Sequence, residues 1–156
     1  ALAGRRESPD PTSRRFMAEA FQSTGGLVRD SIRGMYEPLD YPGRLRNFSV
    51  HSRGLFKPER ISREQDVVTF EQGGRGYRFT VRERGDWYDL PPLLEAVNRA
   101  LEESDVPERF VGLDGAGLFA FFVLVIPDRF REFAQEFQLP LEPDADAQRK
   151  RATKGE

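Results

Sequence analysis

The run GLFAFFVLVIPDRF, Gly117 to Phe130, constrains the fold more than any other stretch of this 156-residue chain. Its apolar part is too short for a membrane-spanning helix, which takes about 20 apolar residues, because Pro127 and two charges follow directly. As a strand it places Leu118, Ala120, Phe122, Leu124 and Ile126 on one side and Phe119, Phe121, Val123 and Val125 on the other. Both sides are apolar, the pattern of a strand covered on both faces. Leaving four such side chains in water would forfeit roughly 6–12 kcal/mol, at about 1.5–3 kcal/mol each. Total domain stability is only about 5–15 kcal/mol, so the second face must be covered. The two C-terminal helices are expected on one face, and an N-terminal helical region or a second copy of the chain on the other.

The length predicts one domain with a substantial core. Hydrophobic residues make up 38% and charged residues 32%, too apolar for a wholly disordered chain. A net charge of −2 disfavours a dedicated nucleic-acid binder. Cysteine is absent, which removes disulfides and thiolate chemistry and makes a reducing cytoplasm the natural compartment. Of 24 basic residues only Lys57, Lys150 and Lys154 are lysines, the rest being arginine, as a GC-rich genome would give.

Residues 1–12 are rich in charge and proline and are expected to be disordered. A single α+β domain is expected over 13–139, and a flexible charged tail over 140–156. The spacing of Phe16, Ala20, Phe21, Leu27, Val28, Ile32 and Met35 suits helical stripes broken at Gly25-Gly26. Leu45 to His51 is assigned to a strand with Phe48 and Val50 on one face, and Lys57 to Glu64 to a polar connection. Val67–Glu71 and Tyr77–Glu83 alternate around Gly73-Gly74-Arg75-Gly76, which predicts a hairpin with a glycine turn. Its second strand points Tyr77, Phe79 and Val81 one way and Arg78, Thr80 and Arg82 the other. Asp89 is placed as an N-cap, with Pro91 and Pro92 in the first turn of a helix that buries Leu93, Leu94, Val97, Ala100 and Leu101. Arg109–Leu113 and the apolar run form a second hairpin around DGAG, and a last helix after Pro127 buries Phe130, Phe133, Ala134 and Phe137. The expected order is a helical segment, then β-β-β-α-β-β-α, with a mainly antiparallel sheet on which the helices pack.

Candidate chemistry is sparse. His51 is the only histidine, and it has no metal-ligating or nucleophile pattern beside it. An ordinary hydrogen-bonded histidine is the simpler assignment. GGRG lies between strands rather than before a helix, so it fits a turn better than a phosphate loop. No motif implies a cofactor or a metal. In ERGDWYD, Glu83 and Asp86 could serve as an acidic catalytic pair if one were desolvated. Trp87 and Tyr88 flanked by charge are better suited to rigid contact with a partner. Arg75, Arg78, Arg82 and Arg84 form a basic strip that could pair with an acidic partner. Alternation sends the neighbouring aromatics to the opposite face, which weakens recognition of RNA bases.

The C-terminal half carries a helix with Leu93, Leu94, Asn98 and Leu101. Arg109-Phe110 then opens a hairpin, and a short helix follows Pro127. In this it resembles small bacterial α+β immunity-type proteins of toxin systems. That resemblance implies a non-catalytic inhibitor that binds a toxin, and it transfers no site residues. The expected function is therefore a protein-binding module whose partner is another protein or a second copy of the chain, with contacts from Arg75, Arg78, Arg82, Arg84, Asp86, Trp87 and Tyr88. The rival functions are a small enzyme acting through Glu83, Asp86 or His51, and a nucleic-acid accessory protein using the arginine strip.

Overall fold

The computed structural model describes residues 26–34, 39–82, 85, 87–113 and 119–136. Within them lie three helices and two three-stranded antiparallel sheets, an α+β architecture. In chain order the elements are β1 (Leu27–Ser31), α1 (Tyr41–Val50), β2 (Glu59–Glu64), β3 (Val67–Gln72), β4 (Arg75–Thr80), α2 (Leu90–Glu103), β5 (Arg109–Leu113), β6 (Phe119–Val125) and α3 (Pro127–Glu136). One sheet has the order β2-β3-β4 and the other β1-β6-β5. After β1 and α1 the elements follow as β-β-β-α-β-β-α, with Glu59–Glu64 rather than Leu45–His51 as the first of the three strands.

Three segments differ from the sequence expectation. Leu27–Ser31 is a strand, not helix, because it completes the hydrogen bonding of β6 from Leu27↔Val123 to Ser31↔Phe119. Tyr41–Val50 is a helix, not a strand. Asp40 Oδ1 accepts from the Gly43 amide at 2.8 Å and Pro42 sits in the first turn, which are start signals for a helix. Tyr41, Leu45 and Phe48 then recur at i, i+4 and i+7 and are buried, while Val50 is 75% exposed. Glu59–Glu64 forms the strand that the polar connection was expected to be. It is an edge strand with a register shift between Glu59 and Ser62 and a positive φ at Arg60, so its polar sequence is that of a solvated edge.

The first hairpin forms where expected but with a tighter turn: Gly73 and Gly74 alone make it, both at positive φ where glycine has no steric penalty, and Arg75 and Gly76 belong to β4, which ends at Thr80. Tyr77 and Phe79 are buried while Arg78 and Thr80 are exposed. DGAG, the terminal segments and Phe137 lie outside the described residues.

The apolar run becomes β6, the central strand of its sheet. Ala120, Phe122 and Leu124 join a large core built with α1, α2 and the β2-β3-β4 sheet. On the other face Val123 is fully buried in a smaller cluster with Leu27, Phe130 and Ala134, and Phe121 and Val125 are half-buried there. The two C-terminal helices thus lie on opposite faces rather than together, and α3 supplies cover that had been assigned to an N-terminal helix or a second copy. Within β6 only Phe119, at 39% exposed, stands proud, with the Arg29 guanidinium 4.0 Å from its ring centre.

Helix α1 joins the two sheets. Its Phe48 ring meets Phe110 at 4.8 Å and Phe122 at 5.2 Å, and its Tyr41 ring meets Phe79 at 6.4 Å and Tyr88 at 5.1 Å. Such edge-on and tilted pairs add about 0.5–1.5 kcal/mol each beyond their burial.

Candidate functional site: the groove beside strand β4

Strand β4 is an edge strand, and α2 runs beside it. Between them lies a groove of about 290 Å³ lined by Gly76 to Phe79 of β4 and by Pro92, Glu95, Ala96, Arg99 and Glu103 of α2. That volume is just under the range of about 300–1,000 Å³ typical of pockets for drug-sized ligands.

The lining mixes apolar and charged side chains. Tyr77, Phe79 and Ala96 are each 7% exposed. At one end a polar network is centred on Glu103. Its carboxylate accepts from the Tyr77 hydroxyl at 2.9 Å and from Arg99 Nε at 3.2 Å, and the Arg75 guanidinium lies 3.5 Å away. The hydrogen bond from Tyr77, then that from Arg99, holds the Glu103 carboxyl below the usual carboxylate range. Burial, then the bond to Glu103, pushes the Tyr77 hydroxyl above its usual value. A depressed carboxyl pKa gives stability that is present above the ordinary value of 4.5 and lost as pH falls through the folded-state value. A raised phenol pKa gives stability present below 10.0 and lost as pH rises through the folded-state value. Tyr77→Phe removes the shared bond and is expected to flatten the pH dependence on both limbs. Urea midpoints measured from pH 3 to 11 check this, and an unchanged profile in the variant would show that the bond does not form.

Sheet edges are treated unequally. On β5, Asn98 of α2 donates to the Phe110 carbonyl at 2.9 Å and accepts from its amide at 2.8 Å, standing in for a neighbouring strand. On β1, Asn47 of α1 donates to the Arg29 carbonyl at 3.4 Å, and just past its end the Tyr88 amide donates to the Ile32 carbonyl at 2.9 Å. On β2 the bulge interrupts the edge. On β4 the Val81 amide bonds the Asp66 carbonyl at 2.8 Å, which sets the alternation of the ladder. Phe79 and Tyr77 then exchange hydrogen bonds with Val68 and Phe70, and the backbone groups of Gly76, Arg78 and Thr80 point away from β3. Among the described residues nothing pairs with them.

The residues expected at a contact surface are divided by the fold. Arg75 and Arg78 stand at the groove, and exposed Arg82 follows β4, its amide donating to Asp89 Oδ2 at 2.9 Å. Arg84 and Asp86 lie outside the described residues, as does Glu83. Trp87 is 44% exposed but away from the groove lining: it bridges to Arg33, whose guanidinium sits 5.3 Å from the indole centre. Tyr88 is half-buried, and its hydroxyl accepts from the Asp40 amide at 3.0 Å, which ties its ring to the fold. Asp89 occupies the N-cap position of α2 without bonding its amides; its carboxylate instead holds Arg82. His51 ends α1, where its amide donates to the Asn47 carbonyl at 3.3 Å. Sequence reasoning missed Glu95, Arg99 and Glu103 as site residues, although their i, i+4 spacing marks one polar face of α2.

Comparison of the chain with protein-family models, with curated proteins and with solved structures finds no match. Among the described residues no helix is long and apolar enough to cross a membrane.

Proposed function

We propose that this chain is a protein-binding module acting in the cytoplasm, and that its contact surface is the Arg78 side of the first hairpin. The immunity-type resemblance of the C-terminal half makes a toxin-like protein the partner class favoured here. The observation that carries the proposal is the outer edge of β4, unpaired among the described residues: a row of backbone donors and acceptors that carries an exposed arginine and borders the groove beside α2. Arg78 has no ion-pair partner among the described residues, so its guanidinium is available for an acidic group on a partner. A bidentate carboxylate contact at such a site is among the stronger interfacial hydrogen bonds.

Coexpression with the products of adjacent reading frames, followed by measurement of the affinity of any complex formed, tests the proposal. Arg78→Glu is expected to weaken that complex by about thirtyfold to several thousandfold, since losing one partner of a desolvated charge pair costs about 2–5 kcal/mol. Arg82→Glu is expected to act chiefly on the association rate and its salt dependence. A complex whose affinity is unchanged by both reversals would place the interface elsewhere.

A further inference from the structure

We infer that the partner engages this chain by strand addition: an extended, acidic segment of another protein pairs with the outer edge of β4 and lies in the groove between β4 and α2. The inference rests on the protein-binding function proposed above and specifies how that binding is made.

Three observations carry it. First, the outward amides and carbonyls of Gly76, Arg78 and Thr80 form a ladder without a neighbour among the described residues, whereas Asn98 and Asn47 bond the outward groups of Phe110 and Arg29 on the other sheet. Protein edge strands are normally blunted or covered, and an open one is a template for another strand. Second, there is space. A Cβ added at Gly76 would meet no atom within 4 Å, and the groove continues from the edge to the α2 side chains. Residues of an added strand alternate, so every second side chain can enter the groove over Phe79 and Ala96 while the others point to solvent beside Arg78.

Third, charge selects the occupant. Glu103 is already engaged by Tyr77, Arg99 and Arg75, and Arg78 remains to be matched. A second copy of this chain pairing antiparallel about Arg78 would set Arg78 opposite its own counterpart, and like charges directly opposed across strands are destabilising. A strand bearing glutamate or aspartate at that position turns the same contact favourable. The arginine therefore both discourages self-pairing and specifies an acidic partner strand.

The test uses the full chain and two capped peptides, one alternating valine with glutamate and one alternating valine with lysine. Residue-resolved amide exchange is followed at millimolar peptide, with Thr80→Pro and Arg78→Glu as variants. Thr80→Pro deletes one outward donor and leaves the β3–β4 ladder and the charge of Arg78 intact, because proline is tolerated where the N–H faces away from the sheet. Unchanged exchange at Tyr77 and Phe79 confirms that the variant keeps its hairpin. The glutamate peptide is expected to slow exchange at Gly76, Arg78 and Thr80 by about tenfold or more, equivalent to about 1.4 kcal/mol. The lysine peptide is expected to do nothing to the wild type but to protect the same amides in Arg78→Glu. Thr80→Pro is expected to lose the response to the glutamate peptide. If the glutamate peptide perturbs Arg78 while the three amides exchange as before, or if Thr80→Pro responds like the wild type, strand addition is overturned and binding through side chains stands. If neither peptide perturbs the edge at all, strand addition is overturned. An Arg78→Glu reversal that leaves the affinity of a native complex unchanged removes Arg78 from the contact surface, a failure distinct from that of strand addition alone.

Discussion

Phe48→Ala is expected to destabilise the protein by about 3–5 kcal/mol, and Val50→Ala to change stability by no more than about 0.5 kcal/mol. Phe48 is fully buried and its ring touches both Phe110 and Phe122, so truncation leaves a cavity where α1 meets the β1-β6-β5 sheet. Val50, two residues on, is 75% exposed. A loss of 3–5 kcal/mol is a large share of the roughly 5–15 kcal/mol that holds a domain of this kind. The pair of variants separates helix from strand at this segment. In a strand the two side chains share a face and would be lost together; in a helix they are about 200° apart. Urea denaturation reads both. A similar loss at the two positions would return residues 45–51 to a strand.

Arg44→Met is expected to cost a comparable amount, about 3–5 kcal/mol, because it strands a buried carboxylate. Asp30 lies on β1 and is 95% buried, and its Oδ1 is ion-paired with Arg44 of α1. Its second oxygen has no hydrogen-bond partner among the described residues, so Arg44 is the group that compensates the charge. Arg44 is itself only 16% exposed and stacks 4.1 Å from the centre of the Tyr88 ring. Breaking a buried pair by removing one partner is costly, whereas replacing both by apolar groups of similar size is often neutral. Asp30→Leu combined with Arg44→Met is therefore expected to recover most of the loss. A double-mutant cycle in urea measures the coupling, and an Arg44→Met protein within about 1 kcal/mol of wild type would show that Asp30 is solvated by other means.

The parts of the fold that were legible in the sequence are those where local pattern and tertiary role agree. The Val67–Thr80 hairpin was marked by alternation and by glycines at the two positive-φ positions. The stripe of α2 was marked by its apolar spacing, and the sandwiching of β6 by the absence of a polar face. The segments misassigned are those where the tertiary role overrides the pattern. Leu27–Ser31 holds two adjacent apolar residues, Leu27 and Val28, that go to opposite cores because β1 is covered on both faces. Five residues with a buried Asp30 do not alternate. In α1 the alternation of Phe48 and Val50 masked the Tyr41-Leu45-Phe48 stripe, although Asp40 and Pro42 mark a helix start. The polar β2 resembles a loop because its edge is solvated. Of the site, the exposure of Arg78 followed from alternation with Tyr77 and Phe79. The opposite wall did not, because nothing in a linear sequence shows that Glu95, Arg99 and Glu103 stand against β4. Nor does it show that Asn98 and Asn47 bond the edges of the other sheet.

Amide exchange along β4 in the unliganded chain puts the whole scheme at risk in one experiment. Slow exchange at Tyr77 and Phe79 alternating with fast exchange at Gly76, Arg78 and Thr80 is what a formed hairpin with a vacant outer side must give. Uniform protection over all five positions would mean that something already occupies that side, and uniformly rapid exchange that the ladder is absent; either leaves no free strand for a partner to join.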